Sequence, residues 1–141
     1  MKLTILILIA GSAFAQEGVT SNLKSLMTDY KKKVVAIAAA FKPADQDFKP
    51  TPEVMSVKEL LAHVSDANYS LCAQLKGEAK PKVAGLSESF DYCLAAIDSV
   101  DGKMATKTTA KTPRDKGWIA FHLLEHTALH YGNLVTYVRL K

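Results

Sequence analysis

The spacing of apolar residues along this chain predicts four amphipathic helices. Apolar residues recur at intervals of three and four over residues 19–41, 57–76, from 83 or 87 to 100, and 113–139. This spacing places them on one face of each helix. No segment alternates apolar and polar residues in the manner of a half-buried strand. The pattern therefore predicts an all-α fold, a single four-helix bundle.

Local signals mark some of the helix boundaries. Ser56 and Glu59 have the spacing of a capping box at the start of the second helix. Gly77 is the residue type that ends helices in a left-handed conformation. Thr112 followed by Pro113 predicts the start of the fourth helix, as an N-cap followed by proline at the first helical position.

The segment between the first two helices is too long for a tight hairpin. Residues 42–53 contain Pro43, Pro50 and Pro52, and Phe48 is expected to anchor the segment on the bundle. A proline-rich connector of this length predicts a long crossover between helices 1 and 2.

The N-terminus has the pattern of a secretory signal peptide. Lys2 precedes the apolar run 3–10, and Ala13 and Ala15 supply small residues before a cleavage site at Gln16. The run is about half of the roughly 20 residues that a spanning helix needs. We expect export to the bacterial periplasm or the extracellular medium, with a mature domain of residues 16–141 and no stable membrane insertion after cleavage. An uncleaved N-terminal anchor helix is the alternative.

The charge of the chain gives no indication of a nucleic-acid partner. Loss of Lys2 lowers the formal net charge from +4 to +3, and the longest basic run is only 31–33. Nucleic-acid binding calls for a clustered basic patch with aromatic residues, which this sequence lacks. We therefore expect no nucleic-acid partner.

The two cysteines, Cys72 and Cys93, are a candidate disulfide. They lie at similar distances on either side of the turn between Gly77 and Pro81, and disulfides are common in exported proteins. Two buried free thiols are the alternative.

Histidines are the candidate metal ligands. His126 and His130 are four residues apart, so both side chains lie on one face of the last helix, one turn apart. His63 lies on the core-facing side of the second helix, and bundle interiors are where facing helices build metal sites. Three neutral imidazoles leave one position for water, as in catalytic zinc sites, and nickel also suits imidazole.

Three further residues are candidates for supporting roles. His122 lies one turn before His126 and is an alternative ligand or a group that supports the ligands. Glu125 and Asp66 are candidate supporting or general-base carboxylates. For both carboxylates the alternative is a solvated helix surface.

Two stretches give the chain a resemblance to the DinB-like family of metal-dependent bundle proteins, which includes the YfiT-like thiol transferases. The first stretch covers residues 48–53 and 60–67, and the second covers 126–134 and 137–139. The resemblance extends over the mature chain. It implies one divalent metal held by His63, His126 and His130, and it favours His126 over His122.

The imidazole ligands favour zinc or nickel as the divalent metal, with iron, manganese or cobalt as alternatives. The family resemblance implies a hydrolase or a thiol transferase acting on a small molecule, although nothing in the sequence selects a substrate. The alternatives are a bundle that binds metal or a small ligand without turnover, and histidines that are only structural. The sequence does not decide whether two copies of the chain form a homodimer. Leu129, before the last histidine, stands where relatives often have a polar residue, so no supporting role is assigned there.

Overall fold

The computed structural model confirms an all-α four-helix bundle. It describes residues 10–141, with side chains from Gly18 onward. The helices are α1 (Ala10–Ala40), α2 (Val57–Lys76), α3 (Leu86–Ser99) and α4 (Lys116–Leu140). Residues 10–141 contain no strand, only an isolated bridge between Lys107 and Asp115.

The predicted signal peptide is only partly covered by the structure. Residues 1–9 lie outside the described residues, and residues 10–15 belong to α1. Cleavage before Gln16 therefore stays a prediction. In the described part of the chain, no helix is both long and apolar enough to cross a bilayer.

Each helix packs against two others around one core. Helix α2 lies between α3 and α4, and α1 contacts both α3 and α4 on the opposite side. The core consists of the apolar faces that the sequence pattern predicts. Its largest fully buried members are Met27, Val34, Val57, Leu60, Val64, Leu75, Phe90, Ile97, Val100, Ile119, Leu123 and Leu134.

The start of α2 is fixed by a capping box. The Ser56 hydroxyl accepts a hydrogen bond from the Glu59 backbone N–H at 3.3 Å, and the Glu59 carboxylate accepts one from the Ser56 N–H at 2.7 Å. The Ser56 N–H and the Lys49 ammonium lower the pKa of Glu59 to about 2. Gly77 ends the helix with φ 74°, a left-handed conformation that favours glycine.

Helix α4 starts later than predicted. It begins at Lys116 with Asp115 as N-cap, so Pro113 lies outside the helix. The reason is that the loop folds back on itself: the N–H of Thr108 donates to the Arg114 carbonyl at 2.8 Å, and the N–H of Lys116 donates to Thr106 at 2.9 Å. These hydrogen bonds occupy the Arg114 carbonyl and the Lys116 N–H, which a helix starting at Pro113 would need for its own first turn.

Helix α1 also differs from its prediction. It extends from Ala10 to Ala40, whereas the apolar pattern placed it over residues 19–41. Three alanines at positions 10, 13 and 15 favour continuation of the helix even where no apolar stripe marks it.

The long crossover lies against the C-terminal half of α4. The Tyr137 hydroxyl donates to the Met55 carbonyl at 2.9 Å, and the Phe48 ring contacts the Tyr137 ring edge-on at 6.1 Å between centroids. The Val57 N–H also donates to the Phe48 carbonyl at 3.1 Å. These contacts place residues 50–55 beside the part of α4 that contains His130.

A disulfide joins α2 to α3. It connects Cys72 and Cys93, which are both fully buried, with their Cα atoms 5.2 Å apart. The bond ties α3 to α2, the helix whose His63 faces α4.

Candidate metal centre

Three histidine side chains from two helices converge at one point. Nε2 of His126 lies 3.1 Å from Nε2 of His63 and 3.2 Å from Nε2 of His130. One ring nitrogen from each histidine lies within 4.8 Å of the others. No other group of three or more His, Cys, Asp or Glu residues in the described part of the chain comes together in this way.

The helices bring the rings together for reasons that are visible in the sequence. His126 and His130 lie one turn apart on α4, and both point toward α2 because Leu123 and Leu134 are buried in the core on either side of them. On α2, buried Leu60 and Val64 fix the rotation of the helix. His63 therefore stands at the edge of the core, facing α4.

The nitrogens cannot satisfy one another by hydrogen bonds. A neutral imidazole has one N–H and one lone pair. Nε2 of His126 can use either its proton or its lone pair with one neighbour, but it has two. A shared cation would use all three lone pairs, and two imidazoles on one tetrahedral zinc have nitrogens roughly 3.4 Å apart. The separations of His126 from His63 and from His130, 3.1 and 3.2 Å, are close to that value, and the third pair lies within 4.8 Å. The three rings can therefore converge on one divalent metal.

Burial keeps His126 and His130 neutral. Desolvation, reinforced by repulsion from His130 and His63, lowers the pKa of His126 to about 4. Desolvation and His63 also lower the pKa of His130. The lone pairs needed for metal binding are thus available at neutral pH.

Asn133 is a supporting residue to which the sequence analysis gave no role. Its side-chain amide lies 3.3 Å from Nδ1 of His130. The Asn133 atom at this distance is the amide nitrogen Nδ2, which donates to Nδ1. Metal binding through Nε2 needs the proton on Nδ1, and a half-turn of the Asn133 amide would present Oδ1 as its acceptor and free the Nε2 lone pair. The spacing of three residues on one helix was the available signal. Nδ1 of His126, in contrast, is buried without a hydrogen-bond partner among the described residues.

The three candidates for supporting roles lie outside the cluster. The His122 ring stacks on Trp118, its Nδ1 lies 3.0 Å from a Glu125 oxygen, and its centroid is 6.3 Å from that of His126. Glu125 is therefore engaged by His122, and Asp66 is engaged by Lys80. Within the described residues, none of the three forms a hydrogen bond to a histidine of the cluster.

Comparison with known proteins supplies the family. Residues 30–134 match the DinB superfamily. The chain belongs to the DinB superfamily. A solved DinB-like protein from Bacillus subtilis, YjoA, has the same fold, with a TM-score of 0.71 at 17% identity over 84% of this chain and 90% of that one. No curated protein matches the chain.

Two cavities flank the histidines of this DinB-superfamily bundle. The larger, about 700 Å³, includes His63 in its wall and lies between α2 and the start of α3. The smaller, about 360 Å³, includes His130 and lies between the crossover and α4. A ligand therefore has space on either side of the cluster.

The metal-free protein is expected to lose stability as the pH falls from about 6.5 toward 4. His126 has a lower pKa folded than its ordinary 6.5, so in this range the unfolded state binds more protons. The contribution is complete above 6.5 and amounts to about 1–2 kcal/mol for a half-buried ring screened by solvent. Urea unfolding with EDTA at pH 7.5 and pH 4.5 measures it. His126→Gln should show a smaller pH dependence, and equal dependence would assign the effect elsewhere.

Proposed function

We propose that this chain is an exported protein that binds one divalent metal ion through His63, His126 and His130 and acts as a metal-dependent hydrolase or thiol transferase on a small molecule. The convergence of three Nε2 atoms carries the proposal, because hydrogen bonding among the rings does not account for it. Membership of the DinB superfamily supports it.

The donor set favours zinc or nickel, with iron, manganese or cobalt as alternatives, because neutral imidazole suits late divalent ions. A metal held by three protein ligands keeps a position for water or a thiol and lowers the pKa of that group toward neutrality. Burial keeps His126 and His130 neutral, and the Asn133 amide contacts Nδ1 of His130 and orients its ring. The two flanking cavities supply space for a small-molecule substrate beside the metal.

Export is supported by the N-terminal pattern and by the disulfide. The pattern predicts a mature chain that begins at Gln16, and disulfides persist in oxidising compartments. The intact mass of the protein recovered from a periplasmic or culture-medium fraction would give its first residue directly.

Metal content tests the site. Protein purified without a histidine tag should contain about one equivalent of a divalent metal, and His63→Ala and His130→Ala should each lose most of it. We expect a larger loss in affinity than the about 10–100-fold that follows removal of a supporting partner. His122→Ala is the matched control and should retain the metal. Unchanged metal content in both ligand variants would exclude these residues as the site.

A bundle that binds metal or a small ligand without turnover is the second candidate. It is favoured by one observation: Glu125, Asp66 and Glu59 are already engaged by His122, Lys80 and Lys49, which leaves these carboxylates poorly placed as general bases. Zinc- and nickel-loaded protein that is inactive across panels of hydrolase and thiol-transfer substrates would favour this candidate. Activity lost in His63→Ala but kept in His122→Ala would favour the enzyme.

A further inference from the structure

The smaller of the two cavities is bordered by the crossover. Its volume of about 360 Å³ lies between residues 50–55 and α4, and His130 forms part of its wall. This volume is at the lower end of the range of small-molecule pockets. The cavity therefore suits a compact organic ligand that also reaches the histidine cluster.

Most of the wall is apolar. Val54 and Met55 on the crossover face it together with Leu60 of α2. Val54 and Met55 are 37% and 40% exposed, although both belong to a segment held firmly by the Tyr137–Met55 hydrogen bond. Val54 and Met55 therefore present an exposed apolar surface to the cavity, against which a ligand can pack.

The polar part of the cavity wall includes one negatively charged side chain. Glu53 is the charged residue among the described lining residues, which otherwise offer the Asn133 amide and the Thr136 and Tyr137 hydroxyls. A hydrogen bond from the Thr51 side chain lowers the pKa of Glu53, so its carboxylate is ionised at neutral pH.

The Glu53 carboxylate has no ion-pair partner among the described residues. In the larger cavity, by contrast, Glu59 pairs with Lys49 at 3.1 Å and Asp66 pairs with Lys80. Only the smaller cavity therefore combines an uncompensated negative charge with a wall that includes a candidate metal ligand.

We propose that this cavity binds the organic part of the metal's ligand, and that it selects a compact, largely apolar group ending in an ammonium over one ending in a carboxylate. The inference rests on the proposed metal site. It assigns the crossover a direct part in ligand selection, with Val54 and Met55 as the apolar wall and Glu53 as the charge that discriminates.

Three probes with one metal-binding head test the proposal. β-Alanine hydroxamate, butyrohydroxamate and succinic monohydroxamate have tails of similar length ending in an ammonium, a methyl and a carboxylate. Each is titrated at low ionic strength into cobalt-loaded protein, and the visible spectrum of the cobalt reports binding. Because the head is constant, differences in affinity measure the tail. We expect each unit of positive charge on the tail to tighten binding about fivefold.

The variant Glu53→Gln separates the possible outcomes. It should bind cobalt normally but bind the three probes with nearly equal affinity. Glu59→Gln, which keeps a capping residue at the start of α2, should retain the wild-type order. Equal affinities in the wild type, or an unchanged order in Glu53→Gln, would overturn the assigned selectivity while leaving the metal site intact. Failure of the wild type to bind cobalt would instead overturn the metal site and the inference with it.

Discussion

Saturating zinc is expected to raise the thermal midpoint of unfolding of the metal-free protein by about 10–15 °C. The bundle holds three imidazoles close together, whereas the unfolded chain does not. A ligand that binds only the folded state at 1,000 times its dissociation constant stabilises it by about 4 kcal/mol. For a domain of this size, that free energy corresponds to the stated shift. Calorimetry of EDTA-treated protein with and without zinc measures it.

Variants of the cluster should show zinc-induced shifts of the thermal midpoint that decrease with the importance of the residue replaced. The shift is compared within each variant, so any intrinsic loss of stability cancels. His126→Ala removes the ring that contacts both others and should abolish most of the shift. Asn133→Leu removes only the partner of His130 Nδ1 and should weaken binding about 10-fold, which is about 1.4 kcal/mol. His122→Ala should retain the full shift, and an undiminished shift in His126→Ala would show that zinc binds elsewhere.

The sequence predicts the cluster because its determinants are local. His126 and His130 need only a helix and a spacing of four, and the rotation of His63 is set by Leu60 and Val64 in the same turn of α2. The capping box at Ser56 and Glu59 fixes where that helix starts. Local signals do not choose between His126 and His122, and the resemblance to the DinB-like family supplied that choice.

The features that the sequence did not predict depend on tertiary contacts. Pro113 is an acceptable first residue of a helix, but Thr108 takes the Arg114 carbonyl and the helix starts at Lys116 instead. The cavity beside His130 exists because Tyr137 holds Met55 over α4, a contact across 82 residues. Apolar periodicity contains no information about which side chain of a loop covers which turn of a helix.

Reduction of the Cys72–Cys93 disulfide is expected to lower the free energy of unfolding by about 3 kcal/mol. The bond closes a loop with a sequence separation of 21 residues, and in the chain-entropy model a loop of this length restricts the unfolded state by that amount. Helices α2 and α3 keep their apolar contacts in the folded state, so the reduced protein should remain folded but less stable. The loss corresponds to a decrease of about 1–2 M in the urea midpoint.

Urea unfolding of EDTA-treated protein with and without a phosphine reductant measures this difference. The variant Cys72→Ala/Cys93→Ala is the control, because its midpoint should not respond to the reductant. Comparing one chain in two redox states avoids the packing loss that replacing two fully buried side chains causes. An unchanged wild-type midpoint, together with two free thiols on labelling under denaturing, non-reducing conditions, would mean that the cysteines are not joined.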